Sequence, residues 1–324
     1  MSEFPRILVT GAGGGVGGVG RRVVELLSAR RMPVRALVHH DDHRAQALRG
    51  LPGVTVVVGD LTRAPDVAAA IDGCRRMYFG MGVSADYVEA AATVAAVARE
   101  AGPLELLVNM SQMTVSQMGL TSTAESRQQR LHWLAEHVLD WSGLPVTHVR
   151  PTVFMENPLF SMLAAASIRR DAMIRLPFGD GRTSPVAAGD VAEVVTEVLI
   201  DPPRHIGRVY ELTGAASRDM NAIAAELSHL LGRVVTYVDV PYEQWLTVDL
   251  DPLGLSPHLR DHIATMARLH RQNRYDRATD DVATLLGRPP AGFDVLVDQA
   301  SALRARTGGS PGLVDGPPDL IRWS

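Results

Sequence analysis

Near its start the chain reads Arg6-Ile-Leu-Val-Thr10, then Gly11-Ala-Gly-Gly-Gly-Val-Gly-Gly-Val-Gly20, then Arg21-Arg-Val-Val-Glu-Leu-Leu27. The apolar run predicts a short buried strand, the glycines a tight turn, and the last stretch a helix with Val23, Val24 and Leu27 on one face. Glycines in that place let the backbone turn sharply and approach a pyrophosphate. Its charge then rests on the free N–H groups of the helix's first turn. Flanking strand and helix separate this pattern from a flexible linker. The register stays open. Gly11, Gly14 and Gly17 share a G-x-x-G-x-x-G spacing with Gly14, Gly17 and Gly20, while Gly13, Gly15 and Gly18 fit G-x-G-x-x-G. Gly11, Gly14, Gly15, Val16 and Gly17 are the candidate phosphate contacts.

Composition narrows the class. A chain of 324 residues, 46% hydrophobic, buries one large core or one core with an appendage. Its net charge of -4, with no basic run interleaved with aromatics, gives no reason to expect nucleic acid. No apolar run is long enough for a membrane span, and nothing resembles a signal peptide. The single cysteine, Cys74, rules out an intramolecular disulfide, fits a reducing cytoplasm, and reads as a turn or strand-edge residue. All 32 basic residues counted as Lys+Arg are arginine. Without lysine there is no Schiff base, no P-loop lysine and no Tyr-x-x-x-Lys pair.

Strand and helix patterns alternate as in a parallel sheet. Strands are predicted at 34–38, 54–58, 77–79, 104–109 and 145–149, with helices at 64–71, 90–101 and 128–142 between them. Ligands of such sheets belong at the carboxyl ends of the strands. Beyond Arg150-Pro151 the pattern predicts helices at 155–168, 190–200, 220–231 and 260–274 and strands at 209–212 and 234–238. The expected division is a dinucleotide-binding domain at 1–153 and a substrate-covering region at 154–306 with some segments returning to the first core. A breaker-rich tail at 307–324 is expected to be flexible.

Ile7-Leu-Val-Thr-Gly11, Val34-Arg-Ala-Leu-Val38, Val58-Gly-Asp-Leu61, Ser142-Gly-Leu-Pro-Val-Thr-His-Val-Arg-Pro151 and Phe154-Met-Glu-Asn157 occur in order. Asp190-Val-Ala192, Tyr210-Glu-Leu-Thr-Gly214 and Thr279-Asp-Asp-Val282 follow them. Together these segments resemble the NmrA-like atypical short-chain dehydrogenases over about residues 5–300. The resemblance implies an α/β fold: a Rossmann-type doubly wound parallel sheet binding NADP or NAD, with a small C-terminal α/β substrate-covering region. It covers both quinone-type reductases and redox sensors that bind the cofactor without turning it over.

Cofactor choice rests on the end of the second strand, His39-His40-Asp41-Asp42-His43-Arg44. A carboxylate there takes ribose hydroxyls, whereas a basic group accommodates a 2′-phosphate. The family often has arginine where His39 stands. His39 and Arg44 favour NADP, and Asp41 or Asp42 leaves NAD possible. No cysteine or carboxylate stands at ligand spacing to these histidines, so no metal is expected. By resemblance Asp60 meets the adenine amine with Leu61 beside the ring; Asp60 also reads as an N-cap. Gly80-Met81-Gly82 ends the fourth strand where a bulky side chain would block the nicotinamide ribose. Met110, Pro151 and Phe154 complete the expected cofactor contacts.

Chemistry is expected near Met110-Ser111-Gln112, where ordinary short-chain reductases place their serine. His132-Trp-Leu-Ala-Glu136 resembles a His-x-x-x-Glu pattern of quinone-reductase-like members, and i,i+4 spacing puts both side chains on one helix face. Ser111 and His132 are the catalytic candidates, His132 because histidine ordinarily titrates near neutrality. Glu136 reads as structural, pairing with an arginine or a backbone amide. Met113, Trp133, Met155 and Asn157 are the expected substrate pocket, with Met81, Met118 and Phe154 adding adaptable apolar surface. The implied partner is a small apolar or aromatic substrate. Two functions fit: hydride transfer to a quinone, enone or other apolar activated carbonyl, or a non-catalytic NAD(P)-binding redox sensor.

Overall fold

A computed structural model describes residues 5–296. Its strands are β1 (Arg6–Val9), β2 (Val34–Val38), β3 (Val54–Val58), β4 (Cys74–Phe79), β5 (Leu106–Met110), β6 (Val146–Pro151), β7 (Met173–Leu176), β8 (Val209–Leu212) and β9 (Thr236–Asp239). Seven of them form one parallel sheet in the order β3-β2-β1-β4-β5-β6-β8, and β7 pairs with β9 in a separate two-stranded parallel sheet. Chain order reverses direction between β1 and β4. At such a reversal the carboxyl ends of the strands are where a doubly wound sheet binds its ligand, and that crevice between β1 and β4 is the expected site.

Side chains alternate across each strand, so β1 feeds two cores at once. Ile7 and Val9 pack with Val23, Val24 and Leu27 of helix Val19–Ala29 and with Val191 and Val195 of helix Ala188–Ile200. Leu8 faces the opposite layer with Met77, Phe79, Val94 and Leu139. A third core lies in the C-terminal region, where Phe160, Phe178, Trp245, Ile263, Leu269 and Phe293 meet.

The sequence located most elements of the large sheet, and the differences have physical causes. Val209–Leu212, read with the C-terminal region, is the seventh strand of the large sheet, pairing with β6 from His148↔Val209 to Pro151↔Leu212. This strand, helix Ala188–Ile200 and Val282 pack in the same core as β1. The predicted helix 155–168 begins only after Pro158, as a π-helical stretch Leu159–Ala164 running into helix Ala165–Asp171. β7 escaped notice because four residues are too few for an alternation to show. Helix His43–Arg49 was missed too: Asp42 caps it, accepting from Arg44 N at 2.9 Å and Ala45 N at 3.2 Å. Helix Arg127–Trp141 starts at a capping box in which Ser126 and Gln129 satisfy each other's backbone N–H. Cys74 opens β4, as its sequence position suggested. The tail 307–324 lies outside the described residues.

Candidate functional site

The glycine loop runs from β1 to helix Val19–Ala29 with both ends pinned. At Gly11, φ is +62° and a Cβ would stand 2.6 Å from Gly80 O, so the turn and the approach to β4 both exclude a side chain. At Gly20 a Cβ would stand 2.7 Å from both Thr10 O and Gly11 O, which gives Gly20 the task of seating the helix against the strand. Gly17, with φ +68°, lies against Ala188 and Phe154. Gly13, Gly14, Gly15 and Gly18 meet nothing within 4 Å. Among the described residues no contact requires glycine at 13 or 15. Their missing side chains leave a cradle in front of the helix N-terminus, which suits a pyrophosphate. Val16 lies in the 3-10 turn Val16–Gly18, and Arg22 Nε holds that turn by donating to Gly17 O at 2.9 Å.

Beyond the loop, Thr10 bridges the switch point. Its hydroxyl donates to Gly80 O at 2.8 Å and accepts from Gly80 N at 2.9 Å. Gly80 must be small for an internal reason, since a Cβ would lie 2.5 Å from the Tyr78 hydroxyl oxygen. Gly82 faces open space and Met81 is half-buried beside it.

At the end of β2 the geometry sorts the charges that the sequence left mixed. Asp41 is held by Arg49, at 2.6 and 3.0 Å, and Asp42 by Arg44 Nε at 2.7 Å. Both carboxyls sit below their usual range, first because of those arginine hydrogen bonds. Arg44 is thereby occupied as well. His39 and His40 remain exposed, their rings 4.3 Å apart, with His39 Nε2 4.0 Å from Asp60 Oδ2. Asp60 is not the cap of the next helix. Its Oδ1 turns onto Thr62 N and Oγ1 at 2.9 and 2.8 Å, and these bonds hold its carboxyl below the ordinary value. The cap position of helix Ala64–Ile71 belongs to Arg63. Leu61 packs beside it against the core.

Polar atoms without partners gather after β5. Among the described residues Ser111 Oγ, Gln112 Nε2, Thr114 Oγ1 and His132 Nδ1 are buried and unbonded. Buried polar atoms are seldom left so. The His132 ring lies 4.1 Å from that of Tyr87, tilted by 47°, and the Tyr87 hydroxyl donates to Met110 O at 2.7 Å, so the histidine stands one ring away from the end of β5. Burial lowers its pKa to about 3, with His262 adding to the shift. The near-neutral titration expected from the sequence is thus corrected: His132 is an uncharged imidazole at neutral pH. Glu136, on the same helix face, takes Arg150 Nε at 2.9 Å and Nη2 at 2.5 Å and is structural.

The remaining predicted residues divide. Met110, Pro151 and Met155 are buried around the ends of β5 and β6, and Phe154 bridges to Val186 beside Gly17. Met113 is buried in the C-terminal core, at 1% exposure. Asn157 spends its Oδ1 on Leu159 N at 3.0 Å. Trp133 turns along its helix to His137 at 4.4 Å, which stacks on the exposed Trp141, so Trp133 follows a stripe leading away from His132. Sequence reasoning passed over three site residues. Tyr87 and Gln128 gave no motif. Glu156, inside a quoted segment, accepts from Ala188 N at 3.1 Å beside the glycine loop, and burial raises its pKa. A cavity of about 590 Å³ lies apart from this crevice, lined by Asp180, Tyr237, Asp239 and Arg271, where Asp239 and Arg271 already pair. Among the described residues no cluster suited to a metal ion occurs, and no helix is long and apolar enough to cross a membrane.

The chain is 29% identical over 282 residues to an NAD(P)H azoreductase of Xenophilus azovorans, covering 86% of this chain and 93% of that protein. Its fold matches an NADPH-dependent quinone oxidoreductase from Escherichia coli complexed with NADPH, at a TM-score of 0.78 and 24% identity over 91% of this chain and 99% of the other. It also matches NmrA, a negative transcriptional regulator, in complex with NADP, at 0.77 and 19% identity over 96% and 99%. The NAD(P)H-binding family model matches residues 14–202, from the open glycines of the loop through helix Ala188–Ile200. The chain belongs to the NAD(P)H-binding family, with the Rossmann-type architecture of NmrA and the quinone oxidoreductase.

Proposed function

We propose that the protein is an oxidoreductase that uses NADPH to reduce a flat, apolar acceptor of the quinone, enone or other activated carbonyl type. A bound nicotinamide dinucleotide supplies the hydride. The loop glycines hold its pyrophosphate, and His39 with His40 offers the basic end that a 2′-phosphate needs, because the neighbouring carboxylates are consumed by Arg44 and Arg49. Ser111 and His132 present donors to the acceptor's oxygen as charge develops there.

The observation that carries this reading is the cluster of unpartnered polar atoms after β5, set beside an uncharged histidine. A chain without lysine lacks the usual Tyr–Lys relay, and the histidine holds no ionised acid at neutral pH. The protein therefore stabilises negative charge by hydrogen bonding, and the completing proton comes from water. Acceptors that take hydride readily fit such a site; simple ketones do not. The likeness to an azoreductase and to a quinone oxidoreductase supports the same acceptor chemistry.

NmrA's fold supports the second reading, a cofactor-binding sensor. Both are tested by following NADPH consumption with quinones, azo dyes and unactivated ketones after cofactor binding has been measured by calorimetry. Turnover of quinones without turnover of simple ketones is expected. Tight NADPH binding with no acceptor reduced overturns the enzymatic reading in favour of the sensor. Fast reduction of simple ketones contradicts the donor-only site.

A further inference from the structure

His132 has two neutral tautomers, and contacts around Gln128 select one. Gln128 is 1% exposed, and its Oε1 lies 3.2 Å from Ser84 N and 2.8 Å from His258 Nε2. A backbone N–H only donates, so the oxygen of the Gln128 amide must face Ser84. The amide nitrogen then faces His132 Nε2, at 3.2 Å. An amide nitrogen also only donates, so His132 Nε2 carries a lone pair and the proton of the neutral ring sits on Nδ1. That Nδ1 is the atom left buried and unbonded beside the end of β5.

The surroundings hold the ring uncharged. Tyr87 packs on it, and burial pushes that phenol well above its ordinary value. From helix Pro257–Arg271, His262 faces it, with its own pKa lowered to about 4 by burial. On its own helix Glu136 is neutralised by Arg150. Behind Gln128, His258 lies among Arg127, Asp261 and Asp86.

We propose that Gln128 is a positioning residue: by donating its amide N–H to Nε2 it pins His132 in the Nδ1–H form and gives the substrate site a neutral donor of constant strength. This rests on the reading of the crevice as a reduction site. The donor's function is then to bond the acceptor oxygen, with no proton transferred and no change of its own charge, as a fixed dipole aimed at developing charge.

The test uses the full chain saturated with NADP⁺ and reads the imidazole ¹⁵N resonances of His132. A pyrrole-type Nδ1 and a pyridine-type Nε2 are expected at neutral pH. Adding menadione to this oxidised complex, in which no hydride is available, is expected to shift the Nδ1–H resonance. Gln128→Glu keeps acceptors for Ser84 N and His258 but presents a carboxylate to His132. The proton is then expected on Nε2, the His132 pKa rises, and quinone turnover falls about a hundredfold with KM little changed and a new pH dependence. Gln128→Leu, which removes the amide, is expected to give mixed tautomers. A wild-type ring protonated on Nε2 overturns the proposal, and so does an Nδ1–H resonance that menadione leaves unmoved. A Gln128→Glu protein that keeps the wild-type tautomer and pH profile does the same. If that variant fails to fold, the wild-type spectra decide alone. A shifted Nδ1–H without turnover of any acceptor would retain the donor and reject only the reduction.

Discussion

Glu136 grips Arg150 through both carboxylate oxygens, at 2.9 and 2.5 Å, with the glutamate side chain 5% exposed and the arginine 19%. Arg150 also lies 4.0 Å from Glu211, which Arg277 holds from the other side. This pairing ties the helix carrying His132 to β6.

Removing one member leaves a buried charge with reduced compensation, so Glu136→Ala is expected to cost about 3 kcal/mol. Urea unfolding of the variant measures it. A loss below about 0.5 kcal/mol, within the range of an exposed ion pair, would contradict a buried bridge.

Two glycines of the same loop are expected to fail differently. Gly20→Ala forces a Cβ against two backbone carbonyl oxygens and should destabilise the fold by about 1–3 kcal/mol. At Gly14 an added Cβ meets no protein atom, so beyond the left-handed strain at φ +82°, about 1–2 kcal/mol, the effect of Gly14→Leu should fall on cofactor binding. Calorimetry with NADPH and thermal unfolding separate the two. Undiminished NADPH binding by Gly14→Leu would remove the pyrophosphate from this cradle.

Cofactor preference is expected to follow His39. A charge-assisted hydrogen bond contributes about 1.5–3 kcal/mol, so His39→Ala should lower the preference for NADPH over NADH by at least about tenfold while NADH affinity hardly moves. The ratio of the two dissociation constants measures this directly. An unchanged ratio would place the 2′-phosphate elsewhere.

Acid stability follows from histidines buried uncharged. Burial lowers His132 and His270 to about 3 and His262 to about 4. The unfolded chain titrates these groups near their ordinary value of about 6.5. Below that pH it binds protons that the folded state refuses, so the part of stability owed to these histidines is constant above about pH 7 and falls as pH drops toward 4. Each histidine contributes up to about 1.4 kcal/mol per pH unit. Unfolding free energies at a series of pH values give the slope, and His270→Gln should reduce it by one proton. An unchanged slope would show that His270 protonates in the folded state.

The β1–glycine–helix unit was legible because its signals are local: an apolar run, a turn that only glycine makes, and a helical face with Val23, Val24 and Leu27. Relations across the sheet were not. Val209–Leu212 carries no mark of its partner β6, which lies far back in the chain. The sequence contained every charge in His39–Arg44, but only the folded turn shows Arg44 and Arg49 consuming the carboxylates. His132 was found by pattern, while its charge state depends on burial against Tyr87 and His262, which no spacing within its own helix encodes. Gln128 gave no signal, because its meaning comes from Ser84 and His258 on other elements.

The late arrival of β8 also governs how the chain is made. During synthesis the N-terminal part emerges first, so β1 to β6 are available while the outer edge of β6 still lacks its neighbour. An open parallel edge with unpaired N–H and C=O groups invites pairing with other chains. It closes only when residues 209–212 have left the ribosome and laid themselves along His148 to Pro151. Everything between β6 and β8, including much of the C-terminal core, is therefore synthesised while that edge stands open. A nascent chain stalled between β6 and residue 209 consequently presents that edge to other chains.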